Sequence, residues 1–287
     1  MRWQAGRRSE NIEDQRGAGP AAGIGVRGAG ISGVGLLAIV LIGWFLGIDP
    51  TQLLQGTTGD GSAYVPAGPS GAEEEQLKDF VSAVLAETED TWGEQFRRTG
   101  RTYEQPKLVL YSGAVESACG FAQSAMGPFY CPGDHKVYLD LSFFQELSDR
   151  FGAPGDFAEA YVIAHEVGHH VQTLLGIMDK VNAGESGTDE TERNAMSVRL
   201  ELQADCLAGV WARNTDRERH ILESGDIDEA LQAAAAVGDD RLQRESQGYV
   251  VPDSFTHGSS EQRVRWFKRG MTQGEISACD TLGAAAI

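Results

Sequence analysis

The chain has 287 residues, of which 41% are hydrophobic and 23% are charged. These values are ordinary for a globular protein, so they exclude disorder throughout and predict one or two domains with a packed core. The formal net charge is −18. A chain this acidic argues against a nucleic-acid partner, because phosphate contacts require Lys and Arg.

The first 71 residues predict a tail, a membrane span and a linker. Residues 1–29 are rich in Gly and Arg, which predicts a disordered tail. Gly30–Ile48 carries no charge, and as a helix it extends about 28 Å, close to the hydrocarbon thickness of a bilayer. We therefore predict one transmembrane signal anchor at 30–48, and a flexible linker over 49–71. A cleaved signal peptide and a soluble core helix are the alternatives.

The charges around this stretch predict its orientation. Five arginines precede it, whereas the residues that follow it are neutral or acidic. The positive-inside rule then places the N-terminus in the cytoplasm and the body outside the bacterial cytoplasmic membrane. No small-residue cleavage site follows, which favours an uncleaved anchor over a signal peptide.

Four cysteines in a body outside the cytoplasm predict two disulfides. Of the three possible pairings, Cys119 with Cys131 suits a short Gly- and Pro-containing loop. Cys206 would then pair with Cys279 and tie the C-terminal tail to a helix. A cysteine zinc site is disfavoured because the chain has no C-x-x-C pair.

Residues 72–287 predict one α+β domain, in which helices and a small sheet alternate. Apolar spacing predicts a first amphipathic helix over 73–98. Three pairs resemble capping boxes: Ser142 with Gln145, Asp156 with Glu159, and Ser259 with Gln262. The predicted strands are 107–111, 127–130 and 136–141, and the further helices are 142–150, 157–175, 190–214, 227–237 and 259–268.

The motif His165-Glu166-Val167-Gly168-His169 carries the chemistry of the chain. Residues four apart share a helix face, so both imidazoles can bind one metal ion, with Glu166 beside it as a base for bound water. The segment is otherwise apolar, and unpaired burial of these groups would cost about 2–7 kcal/mol each. Two hydrogen-bonded core histidines are the alternative interpretation.

Catalytic zinc usually has three protein ligands, so a third must lie elsewhere. His170 points about 140° away from His165 on the helix, which makes it a poor ligand. Glu201 and Asp205 share one face of the next long helix, among apolar and small residues. We predict Glu201 as the third ligand and Asp205 as the hydrogen-bond partner of a ligand histidine. Two solvent-facing carboxylates are the alternative.

The chain resembles the bacterial membrane-anchored neutral zinc metallopeptidases, within the gluzincin group. The resemblance extends over nearly the whole chain outside the linker, and it implies a metallopeptidase-like fold, Zn²⁺ and a peptide or protein substrate. The segments that carry it are MRWQAGRRSENIEDQRG, GPFYCPGDHKVYLDLSFF, AYVIAHEVGHHVQ, RLELQADCLAGVWA and DSFTHGSSEQRVRWF.

His257 and Arg263 are further candidates, because similar His-plus-Arg segments line the active site of related gluzincins. His257 is positioned to stabilise an oxyanion, and Arg263 to orient a Glu or hold a substrate carbonyl. A helix cap with a surface His and Arg is the alternative. An edge of the β-rich stretch 107–141 is a candidate to bind extended substrate, although plain core sheet explains it equally well.

These observations predict a membrane-anchored zinc metalloendopeptidase with a zincin-like α+β body. Two alternatives remain. One is a zinc-containing binding or chaperone-like protein with little turnover, against which the intact Glu166 argues. The other is a zinc hydrolase of a non-peptide amide such as a cell-wall crosslink, which would use the same site chemistry.

Overall fold

A computed structural model describes residues 1–17, 71–184, 188–285 and 287. Within these ranges the chain forms a four-stranded sheet, a two-stranded hairpin and eight α-helices, which confirms the α+β class. None of the described helices is long and apolar enough to cross a membrane. The predicted span at 30–48 lies outside the described residues, as does nearly all of the predicted linker.

The described residues form fourteen helices and strands and three short 3₁₀ turns. The helices are α1 (Gly71–Arg98), α2 (Ser142–Asp149), α3 (Asp156–Leu174), α4 (Ile177–Gly184), α5 (Glu190–Arg219), α6 (Asp226–Ala236), α7 (Asp239–Gln247) and α8 (Ser260–Gln273). The strands are β1 (Ile12–Asp14), β2 (Lys107–Tyr111), β3 (Ala114–Ser117), β4 (Gly120–Gln123), β5 (Phe129–Cys131) and β6 (Lys136–Asp140). Single 3₁₀ turns occur at Ser124–Met126, Pro252–Ser254 and Ile276–Cys279.

The main sheet has the strand order β1-β2-β6-β5. Strands β1, β2 and β6 run parallel, and β5 pairs antiparallel with β6 at one edge. Alternate residues of β2 face opposite sides: Leu108 and Leu110 join the helical core, whereas Val109 and Tyr111 pack in a smaller cluster with the β3–β4 hairpin. The hairpin therefore covers the sheet face opposite the helices.

Small residues let the long helices approach closely. A Cβ atom on Gly168 of α3 would lie 3.1 Å from the carbonyl oxygen of Ala204 on α5. A Cβ on Gly209 of α5 would lie only 2.2 Å from the Phe267 carbonyl oxygen of α8. Helix α5 is thus held between the motif helix and α8, and it brings Glu201 and Asp205 to the centre of the molecule.

The prediction that residues 1–29 are disordered is wrong for residues 1–17. The strand β1 pairs with β2, with Ile12 beside Leu108, and the Met1 residue is only 5% exposed. The α-ammonium of Met1 lies 2.6 Å from the Asp156 carboxylate. The isolated segment is polar and rich in Gly, and its order comes from contacts with the body.

Two of the three predicted capping boxes are wrong. Ser142 and Asp156 are already helical, and no side chain caps either helix at its N-cap residue. Asp140, the last residue of β6, accepts a hydrogen bond from the Ser142 backbone N–H at 3.0 Å in place of the predicted cap. The box formed by Ser259 and Gln262 at the start of α8 is confirmed.

Both predicted disulfides are present, Cys119–Cys131 and Cys206–Cys279. The first links the β3–β4 turn to the edge strand β5. The second joins the middle of α5 to the C-terminal 3₁₀ turn. Sequence analysis missed β1, β3, β4, α4 and α7, which are short elements whose order depends on packing against the rest of the body.

Candidate metal centre

Helix α3 presents both motif histidines from a buried position. The His165 and His169 side chains are 8% and 11% exposed. They lie four residues apart on one helix face, and their ring centroids are 4.8 Å from each other. The apolar residues around them fix the helix in the core, so the imidazoles emerge from a rigid element.

Glu201 of α5 faces these two imidazoles. Its Oε2 atom lies 3.1 Å from His165 Nε2, and its Oε1 atom lies 3.3 Å from His169 Nε2. One potential ligand atom from each of the three side chains lies within 4.8 Å of the others. Two imidazole nitrogens and one carboxylate oxygen are the donor set of many catalytic zinc sites, so these residues fit the ion.

Asp205 holds the outer nitrogen of His165, as predicted from the sequence. The Asp205 Oδ1 atom lies 2.9 Å from His165 Nδ1, and the Tyr161 hydroxyl binds the same carboxylate. Burial alone would raise the pKa of Asp205, but Arg263 and His165 outweigh burial and hold this pKa below its usual range. The ionised carboxylate therefore fixes the tautomer in which His165 Nε2 is free to bind a metal.

Arg263 lies behind the ligand histidines and not on the open side of the site. Its Nε and Nη2 atoms donate to the two Asp205 oxygens at 2.9 and 3.0 Å, and Nη2 also lies 3.3 Å from the Tyr161 hydroxyl. The Arg263 residue is only 4% exposed. In this position it orients Asp205, whereas the predicted contact with a substrate carbonyl is not what the geometry favours.

The outer nitrogen of His169 has a different partner, which sequence analysis missed. His169 Nδ1 lies 2.8 Å from Gln172 Oε1. Gln172 Nε2 donates to Gln203 Oε1 at 3.1 Å, and Gln203 Nε2 donates to the Cys279 carbonyl at 2.8 Å. This relay links a ligand histidine to the disulfide-bonded C-terminal turn. The i,i+3 spacing of His169 and Gln172 was the one local signal for it.

Glu166 adjoins the ligand face and is 8% exposed. Burial raises the pKa of its carboxyl group, even though the two motif histidines oppose the rise. A carboxylate with a raised pKa is a stronger base than a solvated one. Glu166 is therefore better suited to accept a proton from water than an ordinary exposed carboxylate.

His257 lies in the loop before α8, and its side chain is 51% exposed. Asp239, at the start of α7, accepts from three successive backbone N–H groups of residues 256–258 and lies 3.1 Å from His257 Nδ1. Burial opposes the effect, but Asp239 and Glu201 together raise the pKa of His257. The exposed His257 ring is thus held by Asp239, a partner that sequence analysis did not identify.

His170 lies outside the metal centre, as predicted. Its ring is fully buried, with Nδ1 3.1 Å from the Tyr130 hydroxyl and Nε2 2.6 Å from the Glu104 carbonyl oxygen. Tyr130 belongs to the edge strand β5. His170 therefore attaches the motif helix to that strand, on the side of the helix turned away from His165.

Comparison with known proteins identifies the family of the chain. The chain is 50% identical over 287 residues to the uncharacterized protein YpfJ of Escherichia coli, covering 99% of each chain. It is 40% identical over 256 residues to the uncharacterized protein Rv2575 of Mycobacterium tuberculosis, covering 84% of this chain and 85% of that one. No solved structure matches it. A family model described as "Putative neutral zinc metallopeptidase" matches residues 1–282, and the chain therefore belongs to this neutral zinc metallopeptidase family.

Proposed function

We propose that this protein is a membrane-attached zinc endopeptidase that hydrolyses peptide bonds, with Glu166 as the general base. One observation carries the proposal. The side chains of His165, His169 and Glu201 converge from two helices, and Glu166 lies beside them on the same helix as the histidines. A purely structural zinc site needs no base, so the presence of Glu166 favours hydrolysis over a binding role.

Bound zinc supplies a Lewis acid that polarises a carbonyl group and lowers the pKa of water toward ~7. Glu166 accepts the proton of the attacking water and then delivers it to the leaving amine nitrogen. Its raised pKa suits both transfers, because the carboxyl group must gain and lose a proton in each turnover.

His257 is the proposed partner of Glu166 in this reaction. Its exposed ring can reach a bound substrate, and Asp239 fixes the orientation of that ring. A protonated imidazole donates to the negative charge that develops on the carbonyl oxygen during attack. Arg263 acts at a distance, by holding Asp205 against His165.

The edge strand β5 is the proposed platform for the substrate backbone. The described sheet has two edge strands, β1 and β5, and β5 is the one joined to the motif helix through the Tyr130–His170 contact. An extended peptide adds to such an edge through backbone hydrogen bonds. The Cys119–Cys131 disulfide and the Tyr130–His170 contact hold β5 in place next to α3.

The proposal is tested by separating metal binding from hydrolysis. The purified protein should hold about one zinc per chain and cleave an unstructured protein substrate in a chelator-sensitive manner. Glu166→Gln should retain zinc and lose cleavage, whereas Glu201→Ala should lose most of the zinc. Glu192→Ala, an exposed acid on the first turn of α5, is the matched control and should change neither.

The outcomes discriminate between the alternatives. Full cleavage by Glu166→Gln would refute the assigned base. Zinc binding without cleavage of any peptide would favour the binding protein. Chelator-sensitive hydrolysis of a cell-wall crosslink, with no cleavage of peptides, would favour the non-peptide amidase.

A further inference from the structure

The first seventeen residues are joined to the body by buried polar contacts. Glu89 on α1 is 2% exposed, and its carboxylate accepts from Arg7 Nη2 at 2.6 Å and from Asn11 Nδ2 at 2.8 Å, as well as from the Ser9 hydroxyl. A buried carboxylate is costly unless it is paired. Helix α1 thus carries a charge that residues 7–11 neutralise, which indicates that the two segments fold together.

Backbone and apolar contacts extend this union along the whole segment. Ser9 N donates to the Ser82 carbonyl oxygen at 3.0 Å, and β1 completes the sheet beside β2. Trp3 packs edge-on against Phe80, with ring centroids 5.4 Å apart. The segment is therefore a part of the body and not a separate tail.

The two ends of the connection 18–70 meet at one place. Arg16 Nη2 lies 2.7 Å from Glu75 Oε1, and Lys78 Nζ lies 2.8 Å from Asp14 Oδ2. Glu75 and Lys78 both lie in the first turns of α1, just after residue 70. The chain thus leaves the body after residue 17 and re-enters it at residue 71 on the same side of the molecule.

We propose that residues 1–17 and the body lie in the same compartment, so that the chain makes no net crossing of a membrane between residues 17 and 71. Contact within one chain requires an even number of crossings between residues 17 and 71. A stretch of about 28 Å suffices for one crossing, and residues 49–70 contain no second apolar run. The number of membrane crossings between residues 17 and 71 is therefore zero.

This proposal replaces the sidedness expected from the positive-inside rule. The rule counts arginines that flank a span. In the structure Arg7, Arg8 and Arg16 are all engaged with acidic side chains of α1, Arg8 through a paired contact with Asp79 at 2.5 and 2.7 Å. Their positive charges serve the fold of the body, so they carry little information about orientation.

Sided labelling of single cysteines in the full chain tests the proposal. Glu10→Cys places a thiol on the exposed N-terminal segment, and Arg244→Cys places one on exposed α7. The four native cysteines are all in disulfides and do not compete for label. A membrane-impermeant maleimide should label both variants in intact cells or both only after lysis, with a ratio near one under each condition. Labelling of one variant in intact cells and of the other only after lysis would overturn the proposal.

Cross-linking within one chain tests the contact itself. Arg8→Cys combined with Asp79→Cys should react with a short bismaleimide in native membranes. A protease site inserted between residues 60 and 61 then allows the chain to be cut. The N-terminal fragment should stay attached to the body on a denaturing gel, whereas it should separate in either single-cysteine variant. Complete separation in the double variant, or a cross-linked dimer, would refute the intrachain contact.

Discussion

Arg263 and Asp205 form a two-pronged ion pair beneath the candidate metal-binding residues, with N–O distances of 2.9 and 3.0 Å. Both residues are nearly inaccessible to solvent. Since Asp205 in turn holds His165 Nδ1, the pair connects α8 to the His165 side chain on α3. Helices α3, α5 and α8 are thereby connected at the His165 imidazole.

Replacing Arg263 with Leu should weaken zinc binding as well as stability. The substitution leaves the Asp205 carboxylate buried beside one partner fewer, which costs about 3–5 kcal/mol for broken buried pairs. His165 loses its fixed orientation, so zinc affinity should fall roughly 10–100-fold. Competition with a chelator measures the affinity, and denaturant unfolding measures the stability.

Lys268→Ala is the control for that substitution, because Lys268 is exposed on the same helix. The Lys268→Ala variant should change neither the zinc affinity nor the free energy of unfolding. If Arg263→Leu bound zinc as tightly as the parent but lost hydrolysis, Arg263 would act on the substrate, as the sequence suggested, and not through Asp205.

The relay from His169 to the C-terminal turn gives a second prediction. Gln172→Leu removes the acceptor of His169 Nδ1 and should lower zinc affinity roughly 10–100-fold. Gln172→Glu keeps an acceptor oxygen and should lower the affinity less. Gln203→Leu, one step further along the relay, should have a smaller effect of the same sign. Chelator competition on the three variants gives the order.

The Cys206–Cys279 disulfide supports the last member of this relay, because Cys279 supplies the carbonyl that holds Gln203. Mild reduction should therefore accelerate zinc loss. The Cys119–Cys131 bridge is reduced in the same experiment, so Cys119→Ser with Cys131→Ser serves as the matched control. Equal rates of zinc loss in reduced and oxidised protein would contradict the coupling.

A third prediction concerns pH. Burial, with Asp156 and Glu229 nearby, raises the pKa of Glu159 to about 7 from an ordinary value of 4.5. Between these values the folded state keeps a proton that the unfolded state has lost. The free energy of unfolding should therefore fall as the pH rises through this window and stay low above it.

Glu159→Gln removes this titration and should be more stable than the parent at pH 8 but not at pH 4.5. Denaturant unfolding at the two pH values measures the difference. Glu116→Gln, an exposed glutamate on β3, is the control and should follow the parent. A parallel pH dependence of Glu159→Gln and the parent would show that another group causes the slope.

The motif His165–His169 and its base could be predicted because all three side chains lie within five residues of one helix. Helical spacing alone fixes their relative positions. Glu201 and Asp205 could be found because they share a face among small residues that permit close helix packing. In each case the decisive geometry is local to one helix.

Gln203, Asp239 and the strand β1 could not be predicted in their roles, because their partners are distant in sequence. Gln203 acts through helix α3 and the C-terminal turn, and Asp239 through a loop about twenty residues later. The β1 sequence Ile12-Glu13-Asp14 has no strand signal of its own, and it is ordered by pairing with β2 and by ion pairs with the body. Arg7, Arg8 and Arg16 hold this N-terminal segment against α1, and in the sequence they resemble the positive charges that flank a membrane span.

The last prediction separates the role of His257 from that of the ligands. His257→Ala removes a donor to the developing oxyanion, and should lower kcat by about 10²–10³ with zinc content unchanged.

Asp239→Asn should keep zinc as well, but it removes the carboxylate that raises the pKa of His257. The protonated donor is then lost at lower pH, so the alkaline limb of the kcat/KM profile should move to lower pH. Steady-state profiles of the parent and Asp239→Asn measure this shift, with Asp240→Asn as the neighbouring acidic control. An unmoved alkaline limb in Asp239→Asn, together with full activity of His257→Ala, would place the pair outside the reaction and leave Glu166 as the sole proton-handling side chain of the proposed mechanism.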